Sequence, residues 1–123
     1  MIDVAFDEVL ARSPRRVLEV GCGRGELAER LVEAGPDVVA LDQSERMVEL
    51  TRARGVDARV GDVQDLPFAD GQFDVAVANF MLYHVPELDR ALAELRRVAR
   101  ALVAATNGFD QLREMWELVG RDL

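Results

Sequence analysis

At 123 residues the chain has the length of one domain and is too short for two independent ones. Half of it is apolar and 31% is charged, a globular balance, and its longest apolar runs, residues 75–78 and 101–105, fall far short of the roughly 20 residues that cross a bilayer. Fifteen Arg against 23 Asp and Glu leave a net charge of −8, which disfavours a nucleic-acid partner, and a single cysteine, Cys22, excludes an intrachain disulfide or a cysteine-rich zinc site.

Residues 1–10 carry Asp3, Asp7 and Glu8 where a secretory leader would be basic, so the expected location is the cytoplasm, with no membrane association and no metal. Arg16-Val17-Leu18-Glu19-Val20 reads as a strand that stops at Gly21-Cys22-Gly23-Arg24-Gly25, after which Leu27, Leu31 and Ala34 recur at helical spacing. Gly35-Pro36-Asp37 breaks that helix. A second strand, residues 38–41, ends at Asp42, and Ser44 caps a helix carrying Met47, Val48 and Leu50. Residues 56–60 form a third strand, followed by Gly61-Asp62. Residues 72–79 read as a strand buried on both faces, since their apolar positions do not alternate. Pro86-Glu87 opens an amphipathic helix with Leu88, Leu92, Leu95 and Val98 on one side, residues 102–105 supply a fifth strand, and Asp110 caps a last helix.

Apolar strands alternating with helices predict a doubly wound α/β domain: a parallel sheet in order 3-2-1-4-5 between two helical layers, with its crevice outside the carboxyl ends of the strands. Gly21 to Gly25, Asp42, Asp62 and Asn79 all fall at that edge. The glycine turn lets a ligand approach the backbone. The third glycine of a dinucleotide motif is replaced by Glu26, however, and Glu19 adds a second carboxylate beside the place a pyrophosphate would occupy, so the ligand is more plausibly cationic or zwitterionic. A Walker-type loop is excluded because the chain has no Lys. Asp42, 21 residues after Gly21, can accept both hydroxyls of a ribose, or it can serve as a helix cap. Asp62 and Val63 could read an adenine edge with one carboxylate and one amide. Asn79 could offer its carbonyl to an ammonium.

Glu19-Val20-Gly21-Cys22-Gly23-Arg24-Gly25, Leu41-Asp42, Gly61-Asp62-Val63-Gln64-Asp65-Leu66-Pro67-Phe68, Phe73-Asp74-Val75 and Asn79 together resemble the class I S-adenosylmethionine-dependent methyltransferases, in particular a small-molecule branch of that family. The resemblance implies transfer of a methyl group from S-adenosyl-L-methionine to a small-molecule acceptor, leaving S-adenosyl-L-homocysteine. It implies a cofactor site made of Glu19, Gly21, Cys22, Gly23, Gly25, Asp42, Gln43, Met47, Asp62, Val63, Asn79 and Phe80. Met47 and Phe80 could equally be core, and Cys22 a small filler of a tight turn. His84, with Tyr83 beside it, is the candidate general base or substrate-positioning group, or only a loop residue.

Two departures from the family pattern stand out. The sixth and seventh strands of the family are absent, which leaves the fifth strand an open edge and predicts a homodimer or a missing C-terminal segment. The Pro-Gly-Gly turn that usually separates the long helix from the fifth strand is also absent, so the helix should end near Leu95 or residues be missing between Arg100 and Ala101. A cofactor-binding regulatory or interaction module is the alternative reading; an NAD-type domain is disfavoured by the Gly25 spacing and by Glu26.

Overall fold

A computed structural model describes residues 2–79 and 85–105. In chain order the elements are α1 (Ile2–Leu10), β1 (Arg16–Val20), α2 (Glu26–Ala34), β2 (Asp37–Asp42), α3 (Glu45–Arg52), β3 (Asp57–Val60), β4 (Phe73–Asn79), α4 (Leu88–Val98) and β5 (Ala99–Ala105). The five strands form one parallel sheet in the order β3-β2-β1-β4-β5, the expected topology. Among the described residues no helix is long and apolar enough to cross a membrane, and no group of His, Cys, Asp and Glu is placed to hold a metal ion.

Successive strand residues point to opposite faces, so unbroken apolar runs feed two cores at once. Val17, Val38, Ala40, Val75, Val77 and Val103 meet Ala5 and Val9 of α1, Leu27, Ala28 and Leu31 of α2, and Val48 of α3. Leu18, Val20, Leu41, Ala76, Ala78, Leu102 and Ala104 face the other way, against Ala91, Leu95 and Val98 of α4 and the connection that carries Val63, Leu66 and Phe68. The sheet therefore lies between α1, α2 and α3 on one side and α4 with the β3–β4 connection on the other. The order of connection reverses between β1 and β4, which places the crevice of such a sheet beyond the carboxyl ends of β1 and its neighbours.

Three sequence expectations are corrected. Residues 2–10, read above only for their charge, form α1, whose Ala5 and Val9 are fully buried. Leu88 does not share the buried face of its helix. It is the first helical residue, just past Pro86 at the rim of a cleft, and stays 42% exposed, while Ala91 takes the buried position a turn later. The long helix does not stop near Leu95. It runs to Val98 and passes directly into β5, because Ala99 adopts an extended backbone (φ −135°, ψ 151°) while its N–H still bonds to the Leu95 carbonyl. Reversal in one residue replaces the loop. β5 then pairs with β4 from Phe73–Ala99 to Asn79–Ala105, across Arg100 and Ala101 without interruption.

Two motif segments turn out to brace the sheet. The Asp74 carboxylate accepts the N–H groups of Arg15 and Arg16 at 2.8 and 3.0 Å, which fixes the start of β1 and holds that carboxyl below its ordinary value. Around Leu66-Pro67-Phe68, Arg97 donates to the carbonyls of Leu66 and Phe68 at 2.9 and 2.8 Å and pairs with Glu94 and Asp70. Glu94 in turn accepts the N–H of Leu66 at 2.7 Å. Phe68 then meets Phe73 edge to face at 5.1 Å. The Arg97 fork acts by satisfying half-buried carbonyls, whereas Asp70 is 84% exposed and its ion pair is screened by water. Arg97→Ala should therefore lower the urea midpoint of unfolding clearly with an unchanged slope, and Asp70→Ala should hardly move it. Equal midpoints for the two variants would contradict this division.

Candidate functional site

The glycine turn after β1 is held at nearly every backbone polar group. Gly21 and Cys22 donate to the Leu41 carbonyl at 2.7 and 3.1 Å, and Gly23 donates to Asp42 Oδ2 at 2.9 Å. The Gly25 N–H closes back on the Cys22 carbonyl at 3.0 Å. From α3, the Thr51 hydroxyl donates to the Gly23 carbonyl at 2.9 Å, and Arg54, just past its end, donates to the Arg24 carbonyl at 2.8 Å. Gly23 (φ +57°) has open space where a Cβ would project, so its outer surface is bare backbone that a ligand can touch. Gly25 (φ +88°) has the opposite constraint: a Cβ there would lie 2.8 Å from the Thr51 side chain.

Asp42 ends β2 with both oxygens engaged, Oδ2 by Gly23 and Oδ1 by the Ser44 N–H at 3.0 Å. Ser44 caps α3 by accepting the Met47 N–H at 3.2 Å, as its sequence position predicts. A carboxylate has about four acceptor sites, so Asp42 retains capacity for hydroxyls after these two bonds. After β3, Asp62 shapes a turn: its Oδ1 accepts the Gln64 N–H at 2.8 Å, and the Gln64 side-chain amide lies 3.2 and 3.3 Å from its two oxygens. Gln64 Oε1 accepts the Glu87 N–H at 3.0 Å, joining this turn to the start of α4.

These turns enclose a cleft of about 550 Å³ lined by Val20, Gly21, Leu41, Asp42, Gln43, Gly61, Asp62, Val63, Gln64, Val85 and Pro86. The structure thus brings Gly21, Asp42, Gln43, Asp62 and Val63 to one surface. Glu19, Cys22, Gly23 and Gly25 lie just behind or beside it, in β1 and the turn. Met47 is not brought there; it lines a separate groove with Arg24, Arg46, Leu50, Ala53 and Arg54. Asn79 is placed at the end of β4, beside Ala105 of β5. Phe80, Tyr83 and His84 lie outside the described residues, as does the helix expected after Asp110.

Glu19 is the electrostatic anomaly. It is 2% exposed, on β1 between Ala40 and Val77, and its Oε1 has no hydrogen-bond partner among the described residues. Burial, and secondarily the negative charge of Asp42, pushes its carboxyl well above the ordinary value. Cys22 is pushed up to about 11, first by burial, so its thiol stays protonated and unreactive at neutral pH. Sequence reasoning missed Thr51, Arg54 and Gln64. For Thr51 a signal existed: a hydroxyl residue three positions after Val48 falls on the buried stripe of α3.

Comparison with known proteins decides the family. The profile of the methyltransferase domain family matches residues 18–102. This chain belongs to that family. Trans-aconitate 2-methyltransferase of Mycolicibacterium gilvum is 51% identical over 85 residues, 67% of this chain and 32% of that protein. A solved S-adenosylmethionine-dependent methyltransferase of Thermotoga maritima, described as a possible histamine N-methyltransferase, is 30% identical with a TM-score of 0.70, over 84% of this chain and 50% of its own. The [4+2]-cyclase SpnF is 28% identical with a TM-score of 0.77, over 85% of this chain and 43% of its own. The chain spans between a third and about half of the length of the curated relatives it matches. S-adenosylmethionine, giving S-adenosylhomocysteine, is the cofactor that goes with the family.

The Glu19 environment in this methyltransferase domain makes a prediction about pH. Below about pH 4.5, the ordinary value for the side chain, Glu19 is protonated folded or unfolded and has no effect. Above it the unfolded chain ionises while the folded one keeps its proton, so Glu19 lowers stability increasingly as pH rises toward its folded value. Glu19→Gln should therefore raise the melting temperature of the ligand-free domain at neutral pH, and the gain should shrink at about pH 4. A gain that is independent of pH, or a loss at neutral pH, would show that the carboxyl is ionised without strain in the fold.

Proposed function

We propose that this chain is the cofactor-binding core of an S-adenosylmethionine-dependent methyltransferase that modifies a small-molecule acceptor. The observation that carries this reading is Glu19: a buried carboxyl with an oxygen unpartnered among the described residues, shortly before a bare-backbone glycine turn, suits a ligand that brings a cation. A bound ammonium or sulfonium would let the otherwise protonated Glu19 ionise, offsetting the desolvation and the Asp42 charge that raise its pKa, whereas a pyrophosphate would oppose that ionisation. Asp42 and Gln43 take the ribose hydroxyls, and Asp62 with the Val63 N–H takes the adenine edge. Gly21, Cys22, Gly23 and Gly25 surround the methionine portion, and the end of β4 at Asn79 closes it. Met47, in its separate groove, is left out of this set.

When bound, the cofactor supplies a methyl group already activated on a positive sulfur, which passes to an acceptor lone pair as the carbon–sulfur bond breaks. What the protein adds is alignment and exclusion of water. The preformed turn meets that requirement, since its amides and carbonyls are fixed by Leu41, Asp42, Thr51 and Arg54 without a ligand. Relatives acting on trans-aconitate and on demethylmenaquinone support a small-molecule acceptor without choosing one.

A second reading, a cofactor-binding module without methyl transfer, draws on the similarity to a protein named as a [4+2]-cyclase. A radiolabelled methyl-transfer screen over small acids, amines and phenols separates the two, with product formation expected. Titration calorimetry should show binding of S-adenosylhomocysteine and none of NAD. Asp42→Ala should lose about 1.5–3 kcal/mol of that affinity, the size of charge-assisted hydrogen bonds; unchanged affinity would remove the ribose assignment.

The outer side of β5 carries no further strand among the described residues, and Leu102, Val103 and Ala104 bury their side chains. Such an edge pairs readily with another strand, either of a second copy or of a longer chain. Sedimentation of the 123-residue chain should accordingly show a dimer; a stable monomer at high concentration would assign the cover to further sequence.

A further inference from the structure

We infer that Thr51 is a positioning residue for the cofactor turn, and that its hydroxyl, more than its bulk, holds the Gly23 peptide in the orientation that receives the ligand. The inference rests on the S-adenosylmethionine reading of the cleft. Thr51 lies in the last turn of α3 with no exposed surface, and it is one of two polar or charged side chains buried in the described structure, the other being Glu19. A β-branched hydroxyl residue is a poor choice for a helix interior unless the hydroxyl has a task.

Here the task is legible. The hydroxyl donates to the Gly23 carbonyl at 2.9 Å and lies 3.4 Å from the Cys22 sulfur. A hydroxyl has one proton, and Gly23 takes it; the Cys22 thiol has two acceptors in reach, Thr51 Oγ1 and the Gly23 carbonyl at 3.8 Å. Thr51 and Cys22 thus converge on the Gly23 carbonyl beneath the turn, with the threonine hydroxyl the nearer donor. On its other side Gly23 donates its N–H to Asp42. Both polar groups of Gly23 are thereby fixed by separate elements, and the ligand-facing surface between them is the open side noted above. The same Thr51 side chain sits 2.8 Å from where a Gly25 Cβ would be, which ties the choice of glycine there to Thr51.

Glycine is the residue whose peptide turns over most easily. With the hydroxyl gone, the Gly23 carbonyl loses its buried partner and the turn shares its population with orientations that cannot take the ligand. Apparent affinity then falls by the fraction that remains competent. Arg54, on the Arg24 carbonyl, does not substitute, because it acts one peptide later and from the surface.

The test compares the 123-residue chain with Thr51→Val, which keeps the shape and removes the hydroxyl, and with Thr51→Ser, which keeps the hydroxyl and removes a methyl. Titration with S-adenosylhomocysteine should show the valine variant weaker by about three- to tenfold and the serine variant within about twofold of the parent. Melting temperatures should rank the other way, with valine no less stable than serine. Without ligand, the Gly23 amide should exchange with deuterium faster in the valine variant than in the parent. Equal affinity together with unchanged Gly23 exchange in the valine variant would overturn the inference, as would a serine variant as weak as the valine one, which would assign the effect to packing. If the parent itself does not bind S-adenosylhomocysteine, the cofactor reading fails, and the exchange comparison still decides whether the hydroxyl holds the turn.

Discussion

The Asp42 carboxylate bridges two backbone amides from different parts of the chain, Gly23 in the turn after β1 and Ser44 at the cap of α3, and the geometry of the cleft depends on that bridge. β2 ends at Asp42 because it pairs in parallel with β1 from Asp37 beside Arg16 to Leu41 beside Val20. The register therefore delivers the carboxylate to the level where the glycine turn begins. A one-residue slip would turn Asp42 to the opposite face of the sheet and leave the Gly23 amide without its acceptor. The Leu41 carbonyl, accepting both Gly21 and Cys22, reads the same register from the backbone side. Sheet pairing, helix capping and turn shape are thus coupled through two consecutive residues.

Charge separates the plausible ligands. The cleft and its immediate surroundings gather Glu19, Asp42 and Asp62, in a chain whose overall charge is already −8. Asp42 and Asp62 are answered in part by backbone amides and the Gln64 side chain, but those dipoles leave the carboxylates available to hydroxyl and amino donors. Glu19 has no such answer among the described residues and waits in the dry interior of β1. A site of this kind selects for donors and positive charge and against phosphate. That argument needs only the burial and the bonding, and it agrees with the family assigned by comparison.

Much of this was legible in the sequence because it rests on period and punctuation. Unalternating apolar runs gave the parallel strands, the glycines gave the first turn, and Ser44 announced its own cap. What escaped reading depended on contacts between distant segments. α1 lacks a capping signal, and its residues read only as an acidic stretch until Ala5 and Val9 are seen against the sheet. Nothing local says that Ala99 can leave a helix and enter a strand in one step; the turn is supported from outside, by Arg97 bonding the β3–β4 connection and by the Gly71 N–H on the Arg97 carbonyl. Met47, which the sequence left open between covering the cofactor and core packing with Leu50, lines a different groove, because α3 turns its buried stripe through Val48 and Thr51.

Several of the places where this chain breaks local rules meet at one rim. Gly21, Gly23 and Gly25 adopt positive φ within five residues, Glu19 buries a carboxyl oxygen without a partner among the described residues, and Thr51 puts a hydroxyl where an apolar side chain would pack. At the opposite ends of the strands Ser13 also takes a left-handed backbone (φ +49°), but the polar groups there are satisfied: Asp74 accepts two amides, and the groups around Arg97 close on one another. A chain selected only for stability would have no reason to gather a buried carboxyl, a buried hydroxyl and three left-handed glycines around one turn, since each costs conformational freedom or desolvation. Two of the exceptions also depend on each other, because Thr51 bonds Gly23 and occupies the space that Gly25 leaves, so replacing either glycine or the threonine alone disturbs the other. This interdependence makes the turn, more than any single side chain in it, one structural unit.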